Sequence, residues 1–155
     1  MTDKTIFLIV LILAIVVALA ILKNGRTPDA VGLRQGRLSP LPPTPNAVSS
    51  QTEDEQRHVA PLAFTGDRQE THQALRQAIT GYPGKVKIVT DTPAYIHCVF
   101  SSATFGFRDD VEFLLDDTSH VVHFRSASRL GYSDLGVNRR RYAALAALYR
   151  RPPRQ

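Results

Sequence analysis

The chain has 155 residues, with 19 lysines and arginines against 14 acids, and a formal net charge of +5 at pH 7. This length leaves room for one small domain beside a membrane segment. A single cysteine, Cys98, excludes an internal disulfide. The basic residues are not interleaved with stacking aromatics, which argues against a nucleic-acid-binding protein.

Residues 6–22, IFLIVLILAIVVALAIL, contain no polar side chain and predict a membrane anchor. The run is short for a spanning helix, but Lys4 and Lys23 extend it by snorkelling. A cleavable signal peptide is the alternative, because residues 18–20 fit the small-x-small cleavage pattern. The apolar run continues past that site, so we predict an uncleaved single-pass anchor over residues 1–23. The cations that follow the span lean toward a cytoplasmic domain.

Residues 24–56 are rich in proline and poor in large apolar side chains, as in the stretch LSPLPPTPNAVSSQ. This composition predicts an extended, proline-stiffened linker between the anchor and a folded domain. Two interpretations are open at this stage: a plain spacer, or a segment that wraps the surface of the domain. We place the folded domain at residues 57–150 and a basic tail at residues 151–155.

The domain opens with HVAPLAF, residues 58–64, which predicts a short edge strand broken by Pro61. A helix follows, because Asp67 and Glu70 form the capping-box pattern and Gly81 ends the periodicity. The apolar stripe of this helix consists of His72, Leu75 and Ile79, with Ala78 beside it.

Four strand-like runs come next, and a second helix opens near Asn138, a suitable cap. The runs are residues 85–89, 94–101, 110–115 and 120–126. The element order β-α-β-β-β-β-α predicts an α+β domain, with one antiparallel sheet of four to five strands and both helices packed on one face. The other face of the sheet is then open to water or to a partner.

The polar stretch at residues 116–119 predicts the turn between the last two runs, and this turn sets their register. Phe113 then lies opposite Val122 on the core face of the sheet. The same register places Glu112 opposite His123 on the open face, beside the preceding strand.

A row of His97, Glu112 and His123 on the open face has more than one interpretation. Two imidazoles and a carboxylate are zinc-type ligands, or a base with its orienting partner, so the alternative function is an enzyme or metal-binding protein. Their spacing matches no metal motif, which makes ordinary cross-strand pairing the simpler interpretation. We therefore expect no metal, no cofactor and no catalytic residue. Cys98 points to the core and is predicted to be a small buried residue rather than a nucleophile.

Three consecutive arginines at residues 139–141 stand in the first turn of the last helix, where the helix dipole favours acids instead. Such a cluster predicts a nearby anion, which the free backbone N–H groups of a helix start also bind. The segment predicted to recognise the anion comprises Arg125, Ser126, Ser128, Arg129, Ser133, Asp134, Asn138, Arg139 and Arg141.

The source of this anion is open. Asp109, Asp110 and Glu112 are charge partners within the chain, and arginine–carboxylate pairs with them would pin the segment to the sheet. The alternatives are an external phosphate or carboxylate ligand, an anionic lipid headgroup, or another protein of the cell envelope.

The blocks FGFRDDVEFLLDD, HFRSASRLGYSDLGVNRRR and PNAVSSQ closely resemble the family named domain of unknown function 1499, over residues 33–148. This resemblance implies a small membrane-associated or exported domain, and it supplies no reaction and no cofactor. Members often carry cysteines where this chain has Leu41 and Ala47, and the joint loss implies a disulfide in those relatives, as in an oxidising compartment. By analogy, we expect the domain on the periplasmic side of a bacterial inner membrane, against the flanking charges.

The sequence thus predicts a membrane-anchored, non-enzymatic binding module with an anion-recognising segment rich in arginine, serine and glycine. Its predicted partners are the membrane and an anionic group, and nucleic acid is not among them.

Overall fold

A computed structural model of the chain describes residues 3–151. Helix α1, Asp3–Gly25, has no residue buried against the rest of the protein. It is long and apolar enough to cross a membrane, which suits a single-pass anchor or a signal sequence. Of the predicted basic tail, only Arg151 lies within the described residues.

The domain is α+β, as predicted, and its six-stranded sheet is mainly antiparallel. The strands are β3 (Ala47–Ser49), β4 (Leu62–Ala63), β5 (Lys85–Thr92), β6 (Tyr95–Ser101), β7 (Arg108–Asp116) and β8 (Val121–Ser128). They lie in the order β3-β8-β7-β6-β5, and β4 also pairs with β8. A separate small hairpin joins β1 (Leu33–Arg34) to β2 (Arg37–Leu38). The predicted sheet of four to five strands is too small, because it left out β3, which lies in the predicted linker.

Helices α2 (Arg68–Thr80) and α3 (Val137–Tyr149) contribute to one core with the sheet. The capping box of α2 is present, since Glu70 N donates to Asp67 Oδ1 at 2.8 Å and Asp67 N donates to Glu70 Oε2 at 3.0 Å. The assignment of His72 to the apolar stripe is wrong. Thr71 is buried at this position of the helix instead. Its hydroxyl accepts a hydrogen bond from Thr65 N at 3.1 Å, which lets a polar side chain be buried.

The predicted register of the β7–β8 hairpin is wrong by two residues. Phe113 lies opposite Phe124, and Glu112 lies opposite Arg125 rather than His123. Asp116 remains paired with Val121 and its carboxylate accepts a hydrogen bond from Thr118 N at 2.9 Å, so the turn begins one residue later than predicted. A shift of two residues keeps every side chain on its predicted face, and the core residues are therefore unchanged.

The face of the sheet away from the helices is covered, which corrects the prediction of an open face. Asp110 and Glu112 point to this face and are 1% and 0% exposed. Residues between α1 and β3 cover them, and β3 itself extends the sheet beside β8. Of the two interpretations of residues 24–56, the structure shows the segment that wraps the domain.

Candidate functional site

Four charged side chains and one histidine form an ionic cluster on the covered face: Asp110, Glu112, Arg125, Arg129 and His97. Arg129 binds Asp110 with two parallel hydrogen bonds, from Nε to Oδ2 and from Nη2 to Oδ1, each 2.8 Å long. His97 Nε2 lies 2.8 Å from Asp110 Oδ1. The carboxylate of Asp110 is thus held from β6 and from the residue that follows β8, and such pairing is what a buried charge requires.

Glu112 has three hydrogen-bond donors from different parts of the chain. Arg125 Nη1 donates to Oε2 at 2.7 Å, and the Tyr95 hydroxyl donates to Oε1 at 2.7 Å. The third donor is Gly32 N, at 2.8 Å from Oε1, and it comes from the covering segment. The ionic cluster therefore fastens the segment after α1 onto the sheet.

Burial and pairing oppose one another at these groups. Burial by itself raises the pKa of Asp110, but the hydrogen bonds from Arg129 and His97 outweigh it and hold the pKa below its usual value. Burial, together with the adjacent Glu112 charge, raises the pKa of the Tyr95 hydroxyl far above its usual value. Asp110 is therefore ionised in the ionic cluster, and the Tyr95 hydroxyl serves Glu112 as a neutral donor.

A second set of contacts lies on the helix face of the same strands. Asp109 neighbours Asp110 in β7 but faces α3, where Arg141 Nη2 donates to Asp109 Oδ2 at 2.6 Å. The Arg141 guanidinium also lies 5.0 Å from the centre of the Phe100 ring. Arg141 Nη1 donates to Asn138 Oδ1 at 2.8 Å, so this arginine has only internal partners among the described residues.

Asn138 is completely buried and uses its whole amide. Its Oδ1 accepts from Arg141 and from the Ser126 hydroxyl, while Nδ2 donates to Asn46 O at 2.9 Å and to Ser128 Oγ at 3.0 Å. Asn138 was predicted to cap α3, and this prediction is wrong. It lies inside the helix and joins α3 to β8 and to the residue before β3.

The anion at the start of α3 is Asp134. Its carboxylate accepts from Gly136 N at 3.0 Å and from Asn138 N at 2.7 Å, which satisfies the positive end of the helix. The N-cap is Gly136, with φ of 78°, a conformation that favours glycine. Arg139 and Arg140 are exposed and donate to carbonyls, of Gln56 at 2.6 Å and of Leu135 at 2.8 Å.

The predicted anion-recognising segment is therefore not one surface. Arg125, Arg129 and Arg141 are buried and bind Glu112, Asp110 and Asp109 in that order. Ser133 accepts a hydrogen bond from Leu135 N at 3.2 Å and remains exposed, as does Arg139. Recognition of an external anion by this segment stays a prediction, and its buried arginines already have carboxylate partners.

The alternative row of His97, Glu112 and His123 does not form. His97 and Glu112 are cross-strand neighbours, but Arg125 occupies the place predicted for His123. His123 lies opposite Leu114, with Nδ1 3.3 Å from Ser50 Oγ. Among residues 3–151, no group of three histidine, cysteine or acidic side chains is placed to hold a metal ion. Cys98 is buried, and burial raises the pKa of its thiol far above the usual value, so it is no nucleophile here.

Asn24, which was not among the predicted site residues, joins α1 to the domain. Its Nδ2 donates to Gly106 O and its Oδ1 accepts from Arg108 N, both at 2.9 Å. Two arginines bind the last carbonyls of α1: Arg129 Nη1 lies 3.0 Å from Asn24 O, and Arg108 Nη1 lies 3.2 Å from Gly25 O. Cations are favourable at a helix C-terminus, where carbonyl groups lack partners. The available signal was the position of Asn24, two residues after the apolar run.

A basic groove of about 530 Å³ opens beside this junction. Its charged lining consists of Lys85, Lys87, Arg108 and Arg129, and none of the described residues lining it is acidic. Gly25 and Thr27, at the end of α1 and just after it, also line the groove. It combines cations from β5 and β7 with Arg129, one of the residues of the predicted segment.

The profile of the family described as protein of unknown function (DUF1499) matches residues 37–148. The chain belongs to this family. No curated protein and no solved structure matches the chain. The match includes β7, β8 and α3, so the ionic cluster lies within the DUF1499 region except for its contacts with Asn24 and Gly32.

A second cavity of the DUF1499 domain, about 590 Å³, lies beside α2 and has mixed charge. Asp91 lines it and is already bound by His72 Nε2, at 2.8 Å, and by Arg76. Asp67 and Arg68 line it as well. Because its carboxylates and cations neutralise one another, this cavity favours an anionic ligand less than the basic groove does.

We predict that Arg129→Ala destabilises the domain by about 3–5 kcal/mol, because it leaves the buried Asp110 carboxylate without its bidentate partner. Arg139→Ala removes the same charge from an exposed position and should change the free energy of unfolding by less than about 0.5 kcal/mol. Urea unfolding of the full chain in mild detergent measures both. Equal effects of the two changes would contradict a stabilising role for the ionic cluster.

Asp110→Asn should make the stability of the domain less dependent on acid pH. Because the folded pKa of Asp110 is lowered, its pairing stabilises the folded state fully above the ordinary carboxyl pKa of about 4. That stabilisation is lost as the pH falls through the lower folded value. Thermal unfolding between pH 2 and 7 should show a shallower acid decline in the variant, and Asp29→Asn, at an exposed acid, is the control. Parallel acid declines would rule out this linkage.

Proposed function

We propose that the protein is a membrane-anchored, non-enzymatic binding module that recognises an anionic group in the basic groove. The observation that supports this most is the lining of the groove, where lysine and arginine side chains meet without an acid among the described residues. The cations of the basic groove come mainly from β5 and β7, whereas the segment predicted from sequence lies in β8, α3 and the loop between them. Arg129 belongs to both the groove and the predicted segment.

The lysines of the groove are available for a ligand. Lys85 and Lys87 are exposed, and within residues 3–151 their ammonium groups form no ion pair. The two side chains point to the same face of β5, since one residue separates them. Arg108 adds a third cation and remains partly exposed although one of its nitrogens binds Gly25 O.

The ligand class follows from these groups. Two ammonium groups and a guanidinium suit a phosphate or carboxylate, and the guanidinium favours a planar or forked arrangement of oxygens. The groove adjoins the last turn of α1, which is the part of an anchor that lies at the membrane surface. A phosphate-bearing lipid headgroup and a free phosphate share this chemistry, and the experiment below separates them.

Lys85→Ala combined with Lys87→Ala should weaken anion binding roughly ten- to thirty-fold, because each cation near an anionic surface contributes about 1 kcal/mol. Binding is read as the rise in the unfolding temperature of the full chain in nanodiscs. One arm adds inorganic phosphate to zwitterionic nanodiscs, and the other replaces part of the zwitterionic lipid by anionic phospholipid.

Arg150→Ala combined with Arg151→Ala is the matched control, since it removes the same charge at the far end of α3. Stabilisation in both arms indicates a free phosphate, whereas stabilisation by anionic lipid alone indicates a headgroup. The proposal would be contradicted if neither arm stabilised the protein, or if the lysine double variant and the arginine double variant bound equally well.

We also propose that the domain faces the periplasm from a bacterial inner membrane. The support is the cysteine pair that DUF1499 members often carry where this chain has Leu41 and Ala47, because a disulfide there implies an oxidising compartment for those relatives. The cations after α1 favour the opposite side. An alkaline phosphatase fused to the C-terminus, which is active only outside the cytoplasm, should be active. If a reporter that is active only in the cytoplasm were active at the same position, the domain would have the opposite orientation.

A further inference from the structure

Large apolar side chains are exposed at seven described positions outside α1, and five of these lie in or directly beside two loops. The loop between β6 and β7 carries Phe105 and Phe107, and the loop between β8 and α3 carries Tyr132, Leu135 and the adjacent Val137. Phe105, Tyr132 and Leu135 are 75%, 75% and 83% exposed. Clusters of exposed apolar side chains mark surfaces that are covered in the working state of a protein.

The two loops lie at the end of the sheet where α1 joins the domain, which we call the anchor end. Asp109 pairs with Ser128, so β7 begins and β8 ends there. Asn24 Nδ2 donates to Gly106 O, between the two phenylalanines, at 2.9 Å. Arg129, the first residue after β8, donates to Asn24 O at 3.0 Å. Both apolar loops therefore begin beside the last turn of α1 in space.

The phenylalanine loop is held in one conformation. Ser102 N donates to Phe107 O at 2.9 Å, and Phe107 N donates to Ser102 Oγ at 3.0 Å. Phe105 and Phe107 stack on each other with ring centres 5.5 Å apart. A closed turn of this kind presents the two rings together, at a fixed position relative to Asn24.

The opposite end of the sheet has a different composition. The β7–β8 turn there consists of Asp117, Thr118, Ser119 and His120. The β5–β6 turn contains Pro93 and Ala94. None of the exposed large apolar residues among the described positions lies in either turn. Five of the seven exposed large apolar side chains outside α1 thus lie at the anchor end, and none lies in the turns at the opposite end.

Exposed cations lie on the elements that adjoin the apolar loops at the anchor end. Arg26 follows α1, Lys85 begins β5, and Arg139 and Arg140 lie in the first turn of α3 after Leu135. Apolar and aromatic side chains flanked by lysine and arginine are typical of surfaces that sit in the headgroup region of a bilayer.

We infer that the anchor end of the domain docks into the bilayer that α1 spans, with Phe105, Phe107, Tyr132 and Leu135 inserted at the level of the headgroups. The continuity of the loops with the last turn of α1 makes the membrane the occupant of this surface. This docking goes beyond the proposed anion binding, because it concerns the apolar loops and not the basic groove. It fixes the orientation of the sheet relative to the membrane.

The absence of tryptophan from the sequence permits single-tryptophan reporters. Phe105→Trp and Tyr132→Trp place the probe in the two loops, and Thr118→Trp places it in the exposed turn at the opposite end. Each full chain is reconstituted in zwitterionic vesicles, where anionic headgroups play no part. Fluorescence is then quenched in turn by lipids brominated near the top of the acyl chain and by aqueous iodide.

We expect bromolipid to quench Trp emission in the Phe105→Trp and Tyr132→Trp chains, with a blue-shifted maximum. Thr118→Trp should respond to iodide and not to bromolipid. Iodide quenching alone at all three positions would overturn the inference. Emission from the loop reporters that shifts with protein density in the vesicles, without bromolipid quenching, would indicate a second copy of the chain and overturn it equally. The three probes occupy exposed positions, so the core is unaltered.

Discussion

The fold depends on buried carboxylates in strand β7 that are paired with arginines from the later part of the chain. Asp109 and Asp110 are adjacent and therefore face opposite sides of the sheet, where Arg141 and Arg129 bind them. A buried carboxylate without a partner is strongly destabilising, so each pair obliges a separate element to pack in one position. Arg141 sets α3 against one face, and Arg129 sets the end of β8 against the other.

Arg129 also links the core to helix α1. Arg129 binds Asp110 and also the carbonyl of Asn24, so the ionic cluster and the end of α1 are parts of one connected set of hydrogen bonds. A domain attached by a flexible linker would sample many orientations. Here the hydrogen bonds at the junction hold the basic groove and the apolar loops on the side of the domain where α1 joins it, and the anion-binding and docking proposals rest on that geometry.

Much of the fold was readable from sequence because it is local. The capping box of α2 involves Asp67 and Glu70, three residues apart, and alternation placed Phe113 and Val122 on the core face. The register was not readable, because alternation is unchanged by a shift of two residues. The choice was made by the carboxylate of Asp116, which stays in the ladder and closes the turn after it. The predicted register placed His123 opposite Glu112, where the structure has Arg125, and it therefore suggested a row of His97, Glu112 and His123 that does not form.

The sequence by itself determined the apolar helix, the α+β class, the DUF1499 membership and the excess of arginine in the C-terminal third, since composition, short-range periodicity and family motifs carry these properties. Only the tertiary structure decided where each arginine points. Residues 139–141 are consecutive, yet Arg139 binds Gln56 O, Arg140 binds Leu135 O and Arg141 binds Asp109. Helical geometry turns neighbours about a hundred degrees apart, so adjacency in sequence is not adjacency in space. Partners 32 or more residues away in sequence, such as Asp109 and Gln56, are chosen by packing alone.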